Sequence, residues 1–137
     1  MSTLETSPNL KKTPFYGRHL ALQGKMVDFG GWNLPIHYTS ILSEHQWTRS
    51  SCSFFDVSHL GELRVSGPGA LDLLQYCLTN DLRKCESGRI QYTLLCDERG
   101  FVLDDILVCK ESEDTYYLIV NAAKGDSYEF APKSPGD

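Results

Sequence analysis

The sequence lacks any concentration of positive charge. It has 13 lysines and arginines against 18 aspartates and glutamates, which gives its 137 residues a formal net charge of -5. Lys11 and Lys12 form a basic pair in a polar N-terminal segment, and no basic cluster in the sequence is longer than two residues. Because nucleic-acid binding usually requires a concentrated basic face, this composition argues against a polyanionic partner.

Long apolar runs and targeting signals are missing as well. No run approaches the roughly 20 apolar residues that span a bilayer. The N-terminus, MSTLETSPNLKKTPFYGRHL, has no apolar stretch typical of a secretory signal and too few arginines for a transit peptide. The sequence therefore predicts neither a membrane span nor a membrane partner.

Motifs for metal, redox and phosphate chemistry are also absent. The five cysteines are widely spaced without a CxxC pair, and the four histidines form no HExxH motif. The glycine pairs in GGW and SGPG lack the spacing and the lysine of a phosphate-binding loop. We expect reduced thiols that serve mainly as small core residues, and we predict no metal site.

The residues that are present indicate one globular domain with helices in its first two-thirds. A chain of this length can bury about two-thirds of the surface that its unfolded state exposes. We expect a flexible lead-in over the first dozen residues, then a packed irregular loop in KMVDFGGWNLPIHYTS. Thr39 or Ser40 can cap a helix that ends near Arg49. GELRVSG is typical of a short strand, and leucines at helical spacing follow Pro68.

The last third of the chain is different. RIQYTLLCD, FVLDDILVCK and TYYLIVNAA are three strand-like runs joined by short polar connections. Short connections make neighbouring strands antiparallel, which predicts a three-stranded meander. The fold class predicted is therefore α+β, with mixed helices and an antiparallel meander.

Two adjacent aspartates, Asp104 and Asp105, occupy the middle predicted strand. Side chains alternate along a strand, so the two carboxylates must point in opposite directions. Burying an unpaired carboxylate is costly and calls for hydrogen-bond donors or a functional reason. A location near the strand edge, with one carboxylate in water, is the alternative.

FDVSH, at residues 55–59, places Asp56, Ser58 and His59 close together in the sequence. Neighbours in a strand or turn cannot reach one another in the geometry of a catalytic triad. A local turn network is the better interpretation.

Several of these segments together resemble one protein family. TPFYGRHLALQGKMVDFGGWNLPIHY, FFDVSHLGELRVSGPGA, LTNDL, RIQYTLLCDERGFVLDDILV and LIVNAA occur in the order found at the start of the glycine cleavage system T-protein, the aminomethyltransferase. The resemblance runs from about Thr13 to Ala123. The combination of MVDFGGW, FDVSH and a GxxxDD strand is what makes it specific.

The resemblance implies a folate-dependent reaction. T-proteins take an aminomethyl group from the lipoyl arm of the H-protein, release ammonia and pass the one-carbon unit to tetrahydrofolate. The expected partners are therefore the H-protein and tetrahydrofolate, with no nucleic acid. The expected compartment is the bacterial cytoplasm, or the mitochondrial matrix in a eukaryote.

The resemblance also implies site residues. It makes Asp104 the catalytic and folate-binding acid and leaves a structural role for Asp105. Tyr92 and Asn121 are expected at the folate pocket, and Leu60 stands where the family usually has methionine. Cys109 replaces a common tyrosine, which removes a ring that could have contacted folate.

Length sets this chain apart, because family members continue for well over twice its span. The implied organisation is a flexible segment at 1–12, an incomplete folate-binding domain at 13–123 and a divergent tail at 124–137. A fragment, a truncated gene product or a spliced isoform would each explain this. A non-catalytic folate-site remnant or interaction module therefore stays open, as does another folate-binding relative, such as part of the sarcosine or dimethylglycine dehydrogenases or an iron-sulfur assembly factor.

Overall fold

The computed structural model describes residues 9–122, and the chain forms two compact units. The first unit ends at His59 and the second begins at Leu60. The domain bounds implied by the resemblance stay a prediction, and the tail predicted at 124–137 lies outside the described residues.

The first unit contains two short helices and a two-stranded hairpin. Helix α1 spans Tyr16–Ala21, and helix α2 spans Ile41–Ser50. Between them, strands β1 (Met26–Phe29) and β2 (Trp32–Pro35) pair antiparallel. The predicted cap of the second helix is confirmed, because Ser40 is its N-cap and accepts a hydrogen bond from the Ser43 amide.

The hairpin corrects the prediction of an irregular loop in this region. Gly30 and Gly31 are its two loop residues, with φ angles of 58° and 84°. Positive φ angles at both loop residues are typical of the tight two-residue turns that connect antiparallel strands. The glycine pair therefore joins two strands of a hairpin. The Lys11 amide donates to the Gly31 carbonyl at 2.9 Å, and the Asn33 amide donates to the Lys11 carbonyl at 2.9 Å. Lys11, in the segment predicted to be flexible, is therefore held against the hairpin.

The second unit is a four-stranded antiparallel sheet with two helical segments. Its elements are strand β3 (Gly61–Ser66), helix α3 (Ala70–Cys77), a 3-10 helix (Leu82–Lys84) and strands β4 (Ile90–Cys96), β5 (Val102–Ser112) and β6 (Thr115–Val120). The strand order is β3-β6-β5-β4. The three predicted strands correspond to β4, β5 and β6, and β3 adds a fourth. The α+β class is confirmed.

The two faces of this sheet differ in burial. Leu74 of α3 and Leu82 of the 3-10 helix share a core with the side chains of one face, including the fully buried Val108 and Leu118. On the opposite face, Tyr92 keeps 56% of its surface exposed. We call this opposite face the open face; its side chains, from the register and burial patterns, are Glu62, Arg64, Ile90, Tyr92, Leu94, Asp105, Leu107, Cys109, Tyr117 and Ile119.

Candidate functional site

The adjacent aspartates lie on β5, which is flanked by β4 and β6. Asp104 is buried, with 8% of its surface exposed, whereas Asp105 is exposed. The prediction that the two side chains point in opposite directions is confirmed. Asp104 shares the helix-covered face with Ile106 and Val108, and Asp105 belongs to the open face.

A cavity of about 290 Å³ lies on the open face beside Asp105. Leu60, Tyr92 and Asn121, which were predicted as site residues, all line it together with Asp105. Asp104 is not part of the lining. Strand alternation turns Asp104 toward the covered face and leaves Asp105 at this cavity, and the assignment of Asp104 as the catalytic and folate-binding acid stays a prediction.

Hydrogen bonds join these residues into one network. The Tyr92 hydroxyl donates to Asp105 Oδ2 at 3.3 Å. Asn121 Nδ2 lies 3.1 Å from Asp105 Oδ1 and 2.8 Å from Asp104 Oδ1. The Asn121 backbone amide also donates to Asp104 Oδ2 at 3.2 Å. Asn121 thus bridges the two carboxylates, and Asp104 helps to fix the side chain that supports Asp105.

The environment of Tyr92 raises the pKa of its hydroxyl. Desolvation is the largest cause of the raised pKa of Tyr92. The negative charge of Asp105 and the hydrogen bond between Tyr92 and Asp105 raise this pKa further. The polar end of the cavity therefore offers a carboxylate beside a phenol. This pair suits a ligand that donates hydrogen bonds or carries positive charge.

The first unit contains a larger cavity of about 860 Å³, which includes Phe29, Trp47 and Phe54 in its lining. Asp56, also in this lining, accepts from the Ser58 amide at 3.0 Å, which confirms a local turn network in FDVSH. Its other carboxylate oxygen lies 2.8 Å from His19 Nε2, a contact that sequence reasoning missed. No local pattern could have revealed it, because 37 positions separate the two residues.

Other observations concern metal, thiols and membranes. Among residues 9–122, no three histidine, cysteine, aspartate or glutamate side chains form a group that could hold a metal ion. All five cysteines are free; Cys85 is buried and Cys77 packs partly buried against the main core, so the expectation of mainly core thiols holds for these two residues. None of the described helices is long and apolar enough to cross a membrane.

A comparison with known protein families finds a match over most of the chain. Residues 15–129 match the family model described as the GCVT N-terminal domain. The chain belongs to this family. The match covers the whole of β5 and the cavity residues around Asp105.

Relatives of this chain are named aminomethyltransferase. The protein from Symbiobacterium thermophilum is 51% identical over 114 residues, which are 83% of this chain and 30% of that protein. The protein from Moorella thermoacetica is 48% identical over 118 residues, covering 86% of this chain and 32% of that protein. The chain thus spans about a third of the length of these curated relatives.

A solved structure shows the same fold. The glycine cleavage system aminomethyltransferase T from Bartonella henselae is 32% identical and superposes with a TM-score of 0.77. The match covers 86% of this chain and 33% of that one. The fold is therefore that of the first third of an aminomethyltransferase.

Proposed function

We propose that the chain supplies the folate-binding portion of a glycine cleavage aminomethyltransferase. The one-carbon unit would come from the aminomethyl-lipoyl arm of the H-protein and pass to tetrahydrofolate. One observation carries this proposal: Asp105, Tyr92 and Asn121 line a single cavity beside β5, the strand that bears the paired acids. With this function, we expect the protein in the bacterial cytoplasm, or in the mitochondrial matrix of a eukaryote.

Atoms balance in the proposed transfer. The two folate nitrogens form bonds to the carbon, while its bonds to the amino nitrogen and to the lipoyl sulfur break. The two protons that leave the folate nitrogens end on ammonia and on the lipoyl thiol. Positive charge develops on the carbon as ammonia departs, and a fixed carboxylate nearby lowers that barrier.

Asp105 is the residue that the geometry favours for this role. Its carboxylate reaches the cavity, and it is positioned by the Tyr92 hydroxyl and the Asn121 amide. It can accept a hydrogen bond from a reduced pterin ring and orient the reacting nitrogen. A catalytic role for Asp104 stays a prediction, and its contacts to Asn121 fit a positioning residue.

A second candidate is folate binding without catalysis. The observation in its favour is that the chain corresponds to only about 30% of the Symbiobacterium protein. Incubation of the chain with aminomethylated H-protein and tetrahydrofolate decides between the two functions. Steady formation of methylenetetrahydrofolate supports the transferase, and binding without turnover supports the second candidate.

The first prediction concerns tetrahydrofolate binding, measured by anaerobic titration calorimetry. We expect Asp105→Asn to weaken binding about tenfold, because a charge-assisted hydrogen bond contributes about 1.5–3 kcal/mol. Asp104→Asn should lower the free energy of unfolding by about 1–3 kcal/mol, because its new amide would face that of Asn121. Asp104→Asn should weaken tetrahydrofolate binding less than Asp105→Asn does.

Asp72→Asn is the matched control, since Asp72 is an exposed residue of α3. Equal weakening by Asp104→Asn and Asp105→Asn, with unchanged stability in both, would contradict the assignment to Asp105. Absence of any tetrahydrofolate binding by the unaltered chain would overturn the proposed function.

A further inference from the structure

The two edges of the four-stranded sheet differ in their hydrogen bonding. Strand β4 forms one edge, and residues 78–80 supply partners for its backbone. The Thr79 amide donates to the Leu94 carbonyl at 3.1 Å, and the Leu94 amide donates back to Thr79 Oγ1 at 3.2 Å. Asn80 Nδ2 donates to the Tyr92 carbonyl at 3.0 Å. The chain itself therefore occupies this edge.

Strand β3 forms the other edge, and its outer side is unpaired. It pairs with β6 over the whole of Gly61–Ser66 without a register shift. In the described part of the chain, no hydrogen bond joins the outer side of β3 to another backbone segment. A regular edge strand with unpaired backbone groups is a template for pairing with another strand. The sheet can therefore be extended at β3.

The open face of β3 carries one charge of each sign. Glu62 and Arg64 are two positions apart on this face, and both are exposed. The guanidinium carbon of Arg64 lies 6.0 Å from the centre of the Tyr117 ring. Among residues 9–122, neither Glu62 nor Arg64 forms an ion pair. A strand that pairs with β3 therefore meets an unpaired anion and an unpaired cation.

The sequence of β3 is complementary to itself when two copies run antiparallel. With Leu63 opposite Leu63 of a second copy, Glu62 of each copy lies opposite Arg64 of the other. Opposite charges at directly opposed positions stabilise a strand pair, whereas like charges destabilise it. Gly61 lies opposite Val65 in this arrangement, so a small residue faces a larger one.

The charges also select this register over its neighbours. A slip of two residues keeps every side chain on its own face and moves the centre of pairing to Glu62 or to Arg64. In the first case Glu62 lies opposite Glu62 of the second copy, and in the second case Arg64 lies opposite Arg64. Both slips oppose like charges, so pairing about Leu63 is favoured.

We infer that the chain forms a symmetric dimer in which the β3 strands of two copies pair antiparallel about Leu63. The two four-stranded sheets then form one continuous sheet. Leu63 and Val65 pack partly buried against the core cluster, so their pairing across the axis extends the covered face. The interface uses the same surface of both copies and is closed by its two-fold symmetry.

The symmetry has a consequence for the candidate site. Because the sheet is continuous, the open faces of both copies lie on the same side of the dimer, each with its own cavity beside Asp105. The pairing of β3 does not require a ligand in that cavity. The inference is therefore independent of the proposed function.

Sedimentation equilibrium of the full chain at several concentrations tests the dimer, which we expect to form reversibly. Glu62→Arg opposes two arginines, and Arg64→Glu opposes two glutamates. The two-fold axis repeats each change, so both charge pairs become repulsive in either single variant. Each should raise the dissociation constant of the dimer about tenfold or more. The double variant with both changes opposes unlike charges again and should regain the dimer.

Glu111→Arg is the matched control. Glu111 is an exposed glutamate of the inner strand β5, which β6 separates from β3. The same reversal of charge at this position should leave the dimer unchanged. Recovery of the dimer in the double variant would support the inference and would exclude misfolding as the cause of the loss in the single variants.

Three outcomes would overturn the inference. A chain that stays monomeric at millimolar concentration would leave the edge of β3 for a strand of another protein. A dimer that survives both single reversals would be held together by another surface. Dissociation of the double variant to the same extent as the single variants would contradict the pairing about Leu63.

Discussion

At the residue scale, His19 and Asp56 form a buried polar pair in the first unit. The two side chains are only 7% and 5% exposed, and their nitrogen and oxygen atoms are 2.8 Å apart. His19 Nε2 donates to the ionised Asp56, and its Nδ1 lies within hydrogen-bond distance of the Tyr38 hydroxyl, at 2.7 Å. The histidine therefore connects the segment after the hairpin to FDVSH.

The pKa of Asp56 leads to a prediction about acid stability. Burial raises the pKa of this carboxyl, but the surrounding hydrogen bonds, including those from Ser58 and His19, outweigh it and hold the pKa well below its usual value. A depressed folded-state pKa stabilises the protein above the unfolded-state pKa, and this contribution is lost as the pH falls toward the folded-state value.

We expect unfolding free energy, followed by tryptophan fluorescence in urea, to fall below about pH 5 by an amount on the order of 2 kcal/mol. Asp56→Asn should remove most of this dependence, while Asp72→Asn should keep it. A pH profile that is the same for Asp56→Asn and the unaltered chain would contradict the role of Asp56.

At the element scale, the hairpin depends on the glycine pair of its loop. Gly31 has a φ of 84°, and a Cβ added there would meet no atom within 4 Å. The cost of a side chain at this position is therefore purely conformational. Gly17, inside α1, also has open space around it, and its φ is not in the left-handed region.

These two glycines form a matched pair of substitutions. Gly31→Ala should lower the stability of the first unit by about 1–2 kcal/mol, because an L-residue is strained at positive φ. Gly17→Ala should raise it by about 0.5–1 kcal/mol, because alanine favours a helix. Urea unfolding followed by tryptophan fluorescence measures both, and equal effects of the two changes would exclude the conformational explanation.

Several elements were predictable because their patterns are strong. Leucines at helical spacing predicted α3, and Thr39 or Ser40 predicted the start of α2. Strand-like runs joined by short polar connections predicted β4 to β6. The hairpin was missed because its strands have only four residues each and the two glycines between them also suit a loop. Short elements carry too little periodicity to be distinguished from irregular structure.

The site was predictable only in part, for a related reason. Alternation on β5 requires Asp104 and Asp105 to face opposite ways, but both faces of this strand carry apolar residues. The pattern therefore does not show which face the helices cover. The shared core of Leu74, Ile106 and Val108 identifies the covered face, and this core joins distant parts of the sequence.

At the scale of the whole molecule, the two units differ in how much core they contain. Every member of the main hydrophobic cluster belongs to the second unit. In the described part of the first unit, Leu34 is the only buried hydrophobic residue, while Trp47 and Phe54 remain exposed at 62% and 87%. Since apolar burial is the dominant stabilising contribution, the first unit should be the less stable of the two.

The chain offers separate probes for the two units. Its two tryptophans, Trp32 and Trp47, both lie in the first unit. Hydrogen exchange at the amides of Val108 and Leu118, which are fully buried on the sheet, reports the second unit. We expect the tryptophan transition to occur at a lower urea concentration than the loss of amide protection. Coincident transitions would contradict this prediction, because they would show that the two units unfold as one cooperative structure.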